Sequence, residues 1–351
     1  MSFIAKPKVA HPGLPRNRHG LTIRDYEGAL STLCAGCGHD SVTAAIVQAA
    51  FELEIAPHGL AKMSGIGCSS KTPAYFMSGS HGFNSVHGRM PSVTTGANAA
   101  HHDLLYLGIS GDGDSLSIGM GQFAHVIRRN LNMTYLIENN GVYGLTKGQF
   151  SASADVGSTT KRGVANTQPP IDPVSIALSL GASFVARGFS GDKQQLVPLL
   201  KSALKHRGFA LLDVISPCVT FNNHEGSTKS YAHSRSHTLP VVHADYVASA
   251  DEITAQYAEG EAIAVPMHDG SEVRLRKLES SYDPTDRIAA IESVERHARD
   301  GEVVTGLLYI DPQRPDLHAV NRTVGTPLRD LAHGDLCPGS QALADLQSRW
   351  R

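Results

Sequence analysis

Disulfide bridges cannot form the skeleton of this chain, because five cysteines spread over 351 residues are too few for a bridged framework. No apolar run opens the sequence to suggest secretion, so a reducing, cytoplasmic compartment is expected. Charge of one sign is also missing. Lys and Arg number 31 against 33 Asp and Glu, a net charge of −2, which argues against a nucleic-acid partner. No membrane partner is expected either. Hydrophobic residues at 41% and charged residues at 18% are ordinary for a globular chain, and the length allows a large core with a smaller appendage. Histidine is plentiful at 18 residues, yet His101, His102, His206, His237 and His243 show no paired ligand spacing, and most histidines are expected at the surface.

What the chain does contain is Gly111-Asp112-Gly113-Asp114, followed later by Asn139-Asn140-Gly141-Val142. Leu104–Ile109 reads as a buried strand running into the first loop, and Met133–Glu138 as another running into the second. Between them Ile118, Met120, Phe123, Val126 and Ile127 give a helix its buried face. Ser115 or Ser117 is available to cap its start, and Arg128 and Arg129 sit near its negative end. This is a βαβ unit with polar loops at the carboxyl ends of its strands, where open parallel sheets bind nucleotides and related cofactors. A hard cation bridging a diphosphate needs oxygen ligands, and Asp112 with Asn140 supplies a carboxylate and an amide oxygen. Gly111 and Gly113 let the backbone approach a phosphate closely. The plainer alternative is an acidic glycine-rich turn followed by an unrelated Asn-Asn-Gly turn.

Spacing favours the first reading. The 25 residues between Gly113 and Asn139 fit one helix and one strand, and the pattern resembles the diphosphate-binding motif of thiamine diphosphate enzymes. That resemblance implies Mg²⁺ held by Asp112, Asn140 and the main-chain carbonyl of Val142. It continues through Tyr143-Gly144-Leu145-Thr146-Lys147-Gly148-Gln149, so Asp114, Gly144, Leu145 and Thr146 join the expected cofactor site.

Four of the cysteines stand among small residues. Cys34 and Cys37 form a CxxC in Cys34-Ala35-Gly36-Cys37-Gly38-His39, Cys68 follows Gly65-Ile66-Gly67, and Cys218 follows Ser216-Pro217. Four thiolates complete a metal shell, whether for a cluster or for zinc, and unligated buried thiols are the plainer alternative. Cys337, beside Pro338, reads as an ordinary cysteine.

Taken in order, CAGCGH, GIGCSSK, HGR (His87–Arg89), GDGD, NNGVYGLTKGQ and SPCVTFNNHEGSTKSY resemble the beta subunit of the 2-oxoacid:ferredoxin oxidoreductases over roughly Leu33–Tyr231. The resemblance implies one 4Fe-4S cluster on Cys34, Cys37, Cys68 and Cys218, close to thiamine diphosphate. It also implies oxidative decarboxylation of a 2-oxoacid, with ferredoxin taking the electrons and coenzyme A the acyl group. The glutamate that thiamine enzymes place against the aminopyrimidine is not recognisable here, and in the family it comes from an alpha subunit. The active site is therefore expected to be completed at an interface. Lys71, three residues beyond Cys68, is placed to pair with a distal carboxylate, which favours 2-oxoglutarate over pyruvate. His87 and Arg89 are expected to contact the diphosphate or orient substrate, a histidine bonded to a backbone carbonyl being the alternative. Leu145 is expected to shape the pocket wall or simply to pack. Two other readings compete: a thiamine-dependent decarboxylase or synthase without redox function, and a non-enzymatic zinc or iron–sulfur module.

Alternating strands and helices predict an α/β fold with a doubly wound, mostly parallel sheet of the diphosphate-binding type. Residues 1–24 read as an arm, 25–240 as the cofactor-binding domain and 241–351 as a C-terminal extension serving as lid or subunit contact. Within them the patterns predict a helix from Asp40 and strands over Ala61–Ser64, Phe184–Ala186 and Phe209–Ile215. Further helices are predicted over Pro173–Leu180, Gln194–His206, Ala244–Gln256 and Pro284–Arg299. Asp269-Gly270 reads as a turn, and Val156–Pro170 as a long loop over the cofactor.

Overall fold

The computed structural model describes residues 12–158, 164–220, 252–267 and 272–350. In chain order these form α1 (Gly38–Glu52), β1 (Leu60–Ser64), β2 (His81–Asn84), α2 (Met90–Ala100), β3 (Leu105–Gly111), α3 (Met120–Arg129), β4 (Met133–Asn139) and a small hairpin of β5 (Val142–Tyr143) and β6 (Gln149–Phe150). There follow α4 (Pro173–Ser179), β7 (Phe184–Phe189), α5 (Lys193–Lys205), β8 (Phe209–Ile215), β9 (Ala262–Pro266), β10 (Glu272–Lys277), α6 (Arg287–Arg299) and β11 (Glu302–Ile310). Short helices α7 (Leu317–Asn321), α8 (His333–Leu336) and α9 (Gly339–Ser348) form the tail.

Nine strands make one sheet in the order β2-β1-β3-β4-β8-β7-β11-β10-β9. The first six are mutually parallel, β11 is antiparallel to β7, and β9 is antiparallel to β10. The sequence explains which strands lie inside. β7 is buried throughout and β4 and β8 at all but their last residue, as unbroken apolar runs require when helices cover both faces. On one face α1 and α5 pack through Val42, Ile46, Leu196 and Leu200. On the other, α2, α3, α4 and α6 pack through Met90, Phe123, Val174 and Ala290, and the rings of Phe123, Tyr135 and Phe209 meet edge to face or tilted. The doubly wound, mostly parallel sheet is thus as the alternation predicted. Chain order also reverses about β1, since β2 lies to one side of it and β3 to the other.

Local chemistry sets several helix starts. Asp172 accepts from Val174 N with Pro173 in the first turn of α4, Asp192 accepts from Gln195 N at α5, and Asp286 accepts from Ile288 N and Ala289 N at α6. The serine cap expected for α3 does not form. Gly113–Ile118 winds as a π-helix, and α3 begins only after Gly119, whose N–H donates to the Asp114 carbonyl at 2.9 Å. A Cβ on Gly119 would lie 2.7 Å from that carbonyl, so glycine alone permits the junction. Ser115 meets the Tyr135 hydroxyl, and Ser117 accepts from Ala152 N. The π-turn also puts Ile118 out of phase with the helix, leaving it 45% exposed while Phe123, Val126 and Ile127 are fully buried.

The helix expected over Ala244–Gln256 is also absent where it is described. Glu252–Gln256 runs without helix against Gly191, Ala255 N donating to the Gly191 carbonyl at 3.2 Å. The rest of that segment, and the turn at Asp269-Gly270, lie outside the described residues. Among the described residues no helix is long and apolar enough to cross a membrane.

Glu302 ties the β10–β11–α6 corner together. Its carboxylate accepts from Arg276 Nη2 at 3.0 Å, again from Arg276 Nε, and pairs with His297 Nδ1 at 3.0 Å. The Arg276 hydrogen bond is the main reason its carboxyl falls from 4.5 to about 2. A depressed carboxyl stabilises the fold above the unfolded value and loses that contribution as pH falls through the folded value. The melting temperature of the wild type should therefore exceed that of Glu302→Gln at pH 7, with the gap closing between about pH 4.5 and pH 2. A gap that stays constant down to pH 2 would remove Glu302 from the acid response.

Candidate active site

Four neighbouring parallel strands deliver their carboxyl ends to one rim of the sheet. β1 leads into the Cys68 loop, β3 into Gly111–Asp114, β4 into Asn140 and β8 into Cys218. Between the first three loops lies a cleft of about 450 Å³, its open mouth included, lined by residues 66–69, His87, residues 111–114, Asn140 and residues 142–146. A larger depression of about 1030 Å³, between α5, β10 and β11, contains none of the predicted site residues.

Asp112 is 1% exposed. Its Oδ2 accepts from Ser153 Oγ at 2.6 Å and from Ser151 Oγ, whereas Oδ1 receives only a long contact from Asn140 N at 3.4 Å. Burial raises its carboxyl above the usual range, and the two hydroxyls partly oppose that. All of these donors are neutral, so an ionised Asp112 here is a buried anion without a cation among the described residues. Asn140 Oδ1 accepts from Val142 N at 3.1 Å, which folds the loop and brings Asn140, Val142 and Gly144 to the cleft. The Tyr143 hydroxyl donates to the Gly113 carbonyl at 3.1 Å, and a Cβ on Gly113 would lie 2.6 Å from its ring.

Asp114 sits beside the cleft with both oxygens engaged. Oδ1 meets His87 Nδ1 at 2.8 Å and Gly88 N at 3.0 Å, and Oδ2 accepts from Ser110 Oγ at 2.9 Å. It thus fixes the His87 ring, leaving Nε2 for a ligand. Leu145 lines the cleft at 50% exposure, and Thr146 Oγ1 donates to Gln149 Oε1 at 2.6 Å. Arg89 is exposed at the start of α2 and does not line the cleft. Lys71 is half-buried, outside the cleft wall, and near enough to Cys68 to lower its thiol.

The cysteines gather at the neighbouring edge. Gly38 N donates to the Pro217 carbonyl at 3.3 Å, drawing the CxxC loop onto the Cys218 loop, and Thr220 Oγ1 donates to Cys34 Sγ at 3.1 Å. Burial raises the Cys37 and Cys68 thiols, and Cys218 raises both further. Cys34 also raises Cys68. Cys37 is the N-cap of α1, whose positive end favours thiolates there. Among the described residues no three of His, Cys, Asp or Glu converge as one metal ion requires. Cys337 is exposed in the tail.

Sequence reasoning missed what lies between the two groups. His39 is fully buried, its Nδ1 2.6 Å from Ser216 Oγ and its Nε2 3.5 Å from Asn140 Nδ2. Glu138, also fully buried, accepts from Thr72 Oγ1 at 3.0 Å on each oxygen and lies 3.7 Å from His39 Nδ1. Burial alone lowers His39 to about 4 and is the main cause raising Glu138 well above its ordinary value, so burial disfavours the charged form of each. The available signal was a polar pair, Glu138-Asn139, ending an otherwise apolar strand. Ser151 and Ser153, on an unpatterned loop, gave no signal.

A mostly parallel sheet with a glycine-rich, acid-bearing cleft at its strand ends defines a class, that of cofactor-diphosphate-binding domains. Residues 64–214 match the family description "Thiamine pyrophosphate enzyme, C-terminal TPP binding domain". The chain is 36% identical over 293 residues to the beta subunit of 2-oxoacid:ferredoxin oxidoreductase 1 from Aeropyrum pernix, covering 79% of this chain and 90% of that protein. It is 41% identical over 191 residues to 2-oxoglutarate oxidoreductase subunit KorB of Mycobacterium tuberculosis, covering 54% and 51%. A solved 2-oxoglutarate:ferredoxin oxidoreductase from Magnetococcus marinus, with 2-oxoglutarate, coenzyme A and succinyl-CoA bound, matches with a TM-score of 0.68 at 29% identity over 88% of this chain and 91% of that one. The chain belongs to the family of 2-oxoacid:ferredoxin oxidoreductase beta subunits, as its motifs predicted. The matched region spans from 51% to 90% of the length of these relatives.

Gly65 offers a test of the Asp114 anchor, since a Cβ there would lie 1.8 Å from Asp114 Oδ2. Gly65→Ala should lower stability by about 1–3 kcal/mol, as overpacking does, and free the His87 ring. An unchanged urea midpoint, with His87 as ordered as in the wild type by NMR, would remove Gly65 from that role.

Proposed function

We propose that this chain binds thiamine diphosphate with Mg²⁺ and one 4Fe-4S cluster, and serves coenzyme A-dependent oxidative decarboxylation of 2-oxoglutarate to succinyl-CoA and CO2. Ferredoxin is the electron acceptor, an alpha subunit is the partner, and the compartment is cytoplasmic. The observation that carries this reading is the delivery of Cys68, Asp112, Asn140 and Cys218 by four adjacent strand ends. When bound, thiamine diphosphate supplies the carbon nucleophile and electron sink for decarboxylation, and an iron–sulfur cluster supplies a one-electron outlet.

The residues present fit both groups. Mg²⁺ would be held by Asp112, Asn140 and the Val142 carbonyl, where its charge would offset a buried carboxylate. Gly67, with φ +147°, lines the cleft, and nothing lies within 4 Å of the place a Cβ would take. Gly111, Gly113 and the turn at Gly144–Thr146 line the cleft, where their backbone would meet phosphate oxygens. Cys34, Cys37, Cys68 and Cys218 would hold the cluster. Cys218 is near enough to raise both Cys37 and Cys68, and Cys34 near enough to raise Cys68, which supports one shared site for the four thiolates.

The chain's own residues then divide the remaining work. His87, fixed by Asp114, orients the reacting region, and Leu145 closes one wall against water. Lys71 offers an ammonium beside Cys68, where it pairs with the distal carboxylate that distinguishes 2-oxoglutarate from pyruvate. Leu145 leaves apolar surface exposed at the cleft, and Val86, next in sequence to His87, and Ile118, against Gly88, are also exposed, at 50%, 70% and 45% in turn. That surface suits a partner subunit bringing the absent aminopyrimidine glutamate.

Anaerobic co-purification with the neighbouring subunit, followed by an absorption spectrum, iron and zinc analysis and a viologen-linked assay, tests the whole reading. Asp112→Ala should abolish thiamine diphosphate retention while iron stays bound; unchanged cofactor affinity would overturn the ligand assignment. Lys71→Ala should reduce kcat/KM for 2-oxoglutarate more than for pyruvate, by about tenfold or more for a lost charge pair. Equal losses on the two acids would exclude Lys71 from substrate choice.

A further inference from the structure

A polar chain behind Asp112 has no part in the chemistry assigned above. Ser153 Oγ, 2.6 Å from Asp112 Oδ2, is also 2.9 Å from Asn139 Oδ1. Asn139 Nδ2 donates to Asp213 Oδ1 at 3.2 Å, and Arg187 Nε donates to Asp213 Oδ2 at 2.8 Å. Arg187 Nη2 reaches on to Asp172, which caps α4. Asp213 is wholly buried, and Arg187 is 7% exposed. The chain therefore crosses from β8 and β7 to the loop that meets the cleft.

Proton counting gives this arrangement its consequence. A hydroxyl has one proton, and Ser153 faces two acceptors, Asp112 Oδ2 and Asn139 Oδ1. The Asn139 amide is held in one orientation, because Nδ2 must face the Asp213 carboxylate, itself fixed by Arg187. Asn139 therefore always presents its oxygen to Ser153. Ser153 gives that proton to the charged acceptor, Asp112 Oδ2, and Asn139 Oδ1 at 2.9 Å bounds the side on which the Ser153 oxygen can move away from it.

We propose that Ser153, Asn139, Asp213 and Arg187 form a positioning relay that holds Oδ2 of Asp112 from behind and leaves Oδ1 for a divalent cation. This rests on the assignment of Asp112 as a metal ligand. Residues that orient a ligand from outside the metal's shell typically alter affinity by about 10–100-fold when replaced.

The test uses the full enzyme complex with thiamine diphosphate and Mn²⁺ as probe, free Mn²⁺ being read by electron paramagnetic resonance. Ser153→Ala and Asp213→Asn should each weaken Mn²⁺ binding by about tenfold or more. Because both act through one chain, the double variant should bind hardly more weakly than the worse single variant. Ser153→Thr, which keeps the hydroxyl, should bind as the wild type does. Should Asp213→Asn fail to fold because Arg187 loses a partner, Asn139→Ala takes its place in the same cycle. Unchanged affinity in Ser153→Ala, or losses that simply add, would overturn the relay while leaving the metal ligand in place. A wild-type complex that binds no Mn²⁺ would overturn the ligand assignment and the relay together.

Discussion

Placing the Asp112 carboxylate almost entirely out of water is the constraint on which the rest of the site depends. An isolated buried carboxylate costs several kcal/mol, more than a typical hydrogen bond returns. Two serine hydroxyls soften that penalty without cancelling it, since burial still raises the group. The Mg²⁺ proposed beside it would offset the remainder. The neighbouring residues obey the same constraint. A Cβ on Gly111 would lie 2.7 Å from Ser69 Oγ, and one on Gly113 would run into the Tyr143 ring, so backbone alone can line the cleft there.

The fold places this anion economically. Parallel strands all point their carboxyl ends one way, so loops far apart in sequence arrive at one rim without any long structured connection. Cys68 and Cys218 are 150 residues apart, yet their strands are separated in the sheet only by β3 and β4, the two that bring Asp112 and Asn140. The same ordering puts His39 and Glu138 between the two groups. Both are fully buried, and they join the loops through hydrogen bonds with Ser216 and Thr72.

The sheet interior was legible because its strands are long apolar runs bounded by glycine, asparagine and proline. Phe209–Ile215 is a strand with the predicted limits, and the predicted helix over Gln194–His206 appears one residue earlier, as α5. Motifs with glycines at fixed spacing were legible for the same reason, as they report backbone geometry. Residues acting from outside the motif were hidden. Ser151 and Ser153 lie on a loop whose composition says nothing about the carboxylate they meet, and Arg187 sits in a strand that otherwise reads as apolar. The α3 start was misread because a serine near a helix start resembles a cap. The π-turn uses Gly119 instead and leaves Ser115 and Ser117 to bond elsewhere.

Arg187 shows why such residues must be sought in the structure. A buried arginine is stable only with its charge answered, and Asp172 at Nη2 and Asp213 at Nε answer it. One of those carboxylates starts a helix, and the other faces the first asparagine of the Asn-Asn motif. A single guanidinium therefore ties the packing of α4 on the sheet to the geometry of the loop at the cleft. Removing its charge would disturb both at once, so stability and ligand geometry share one interaction deep in the core.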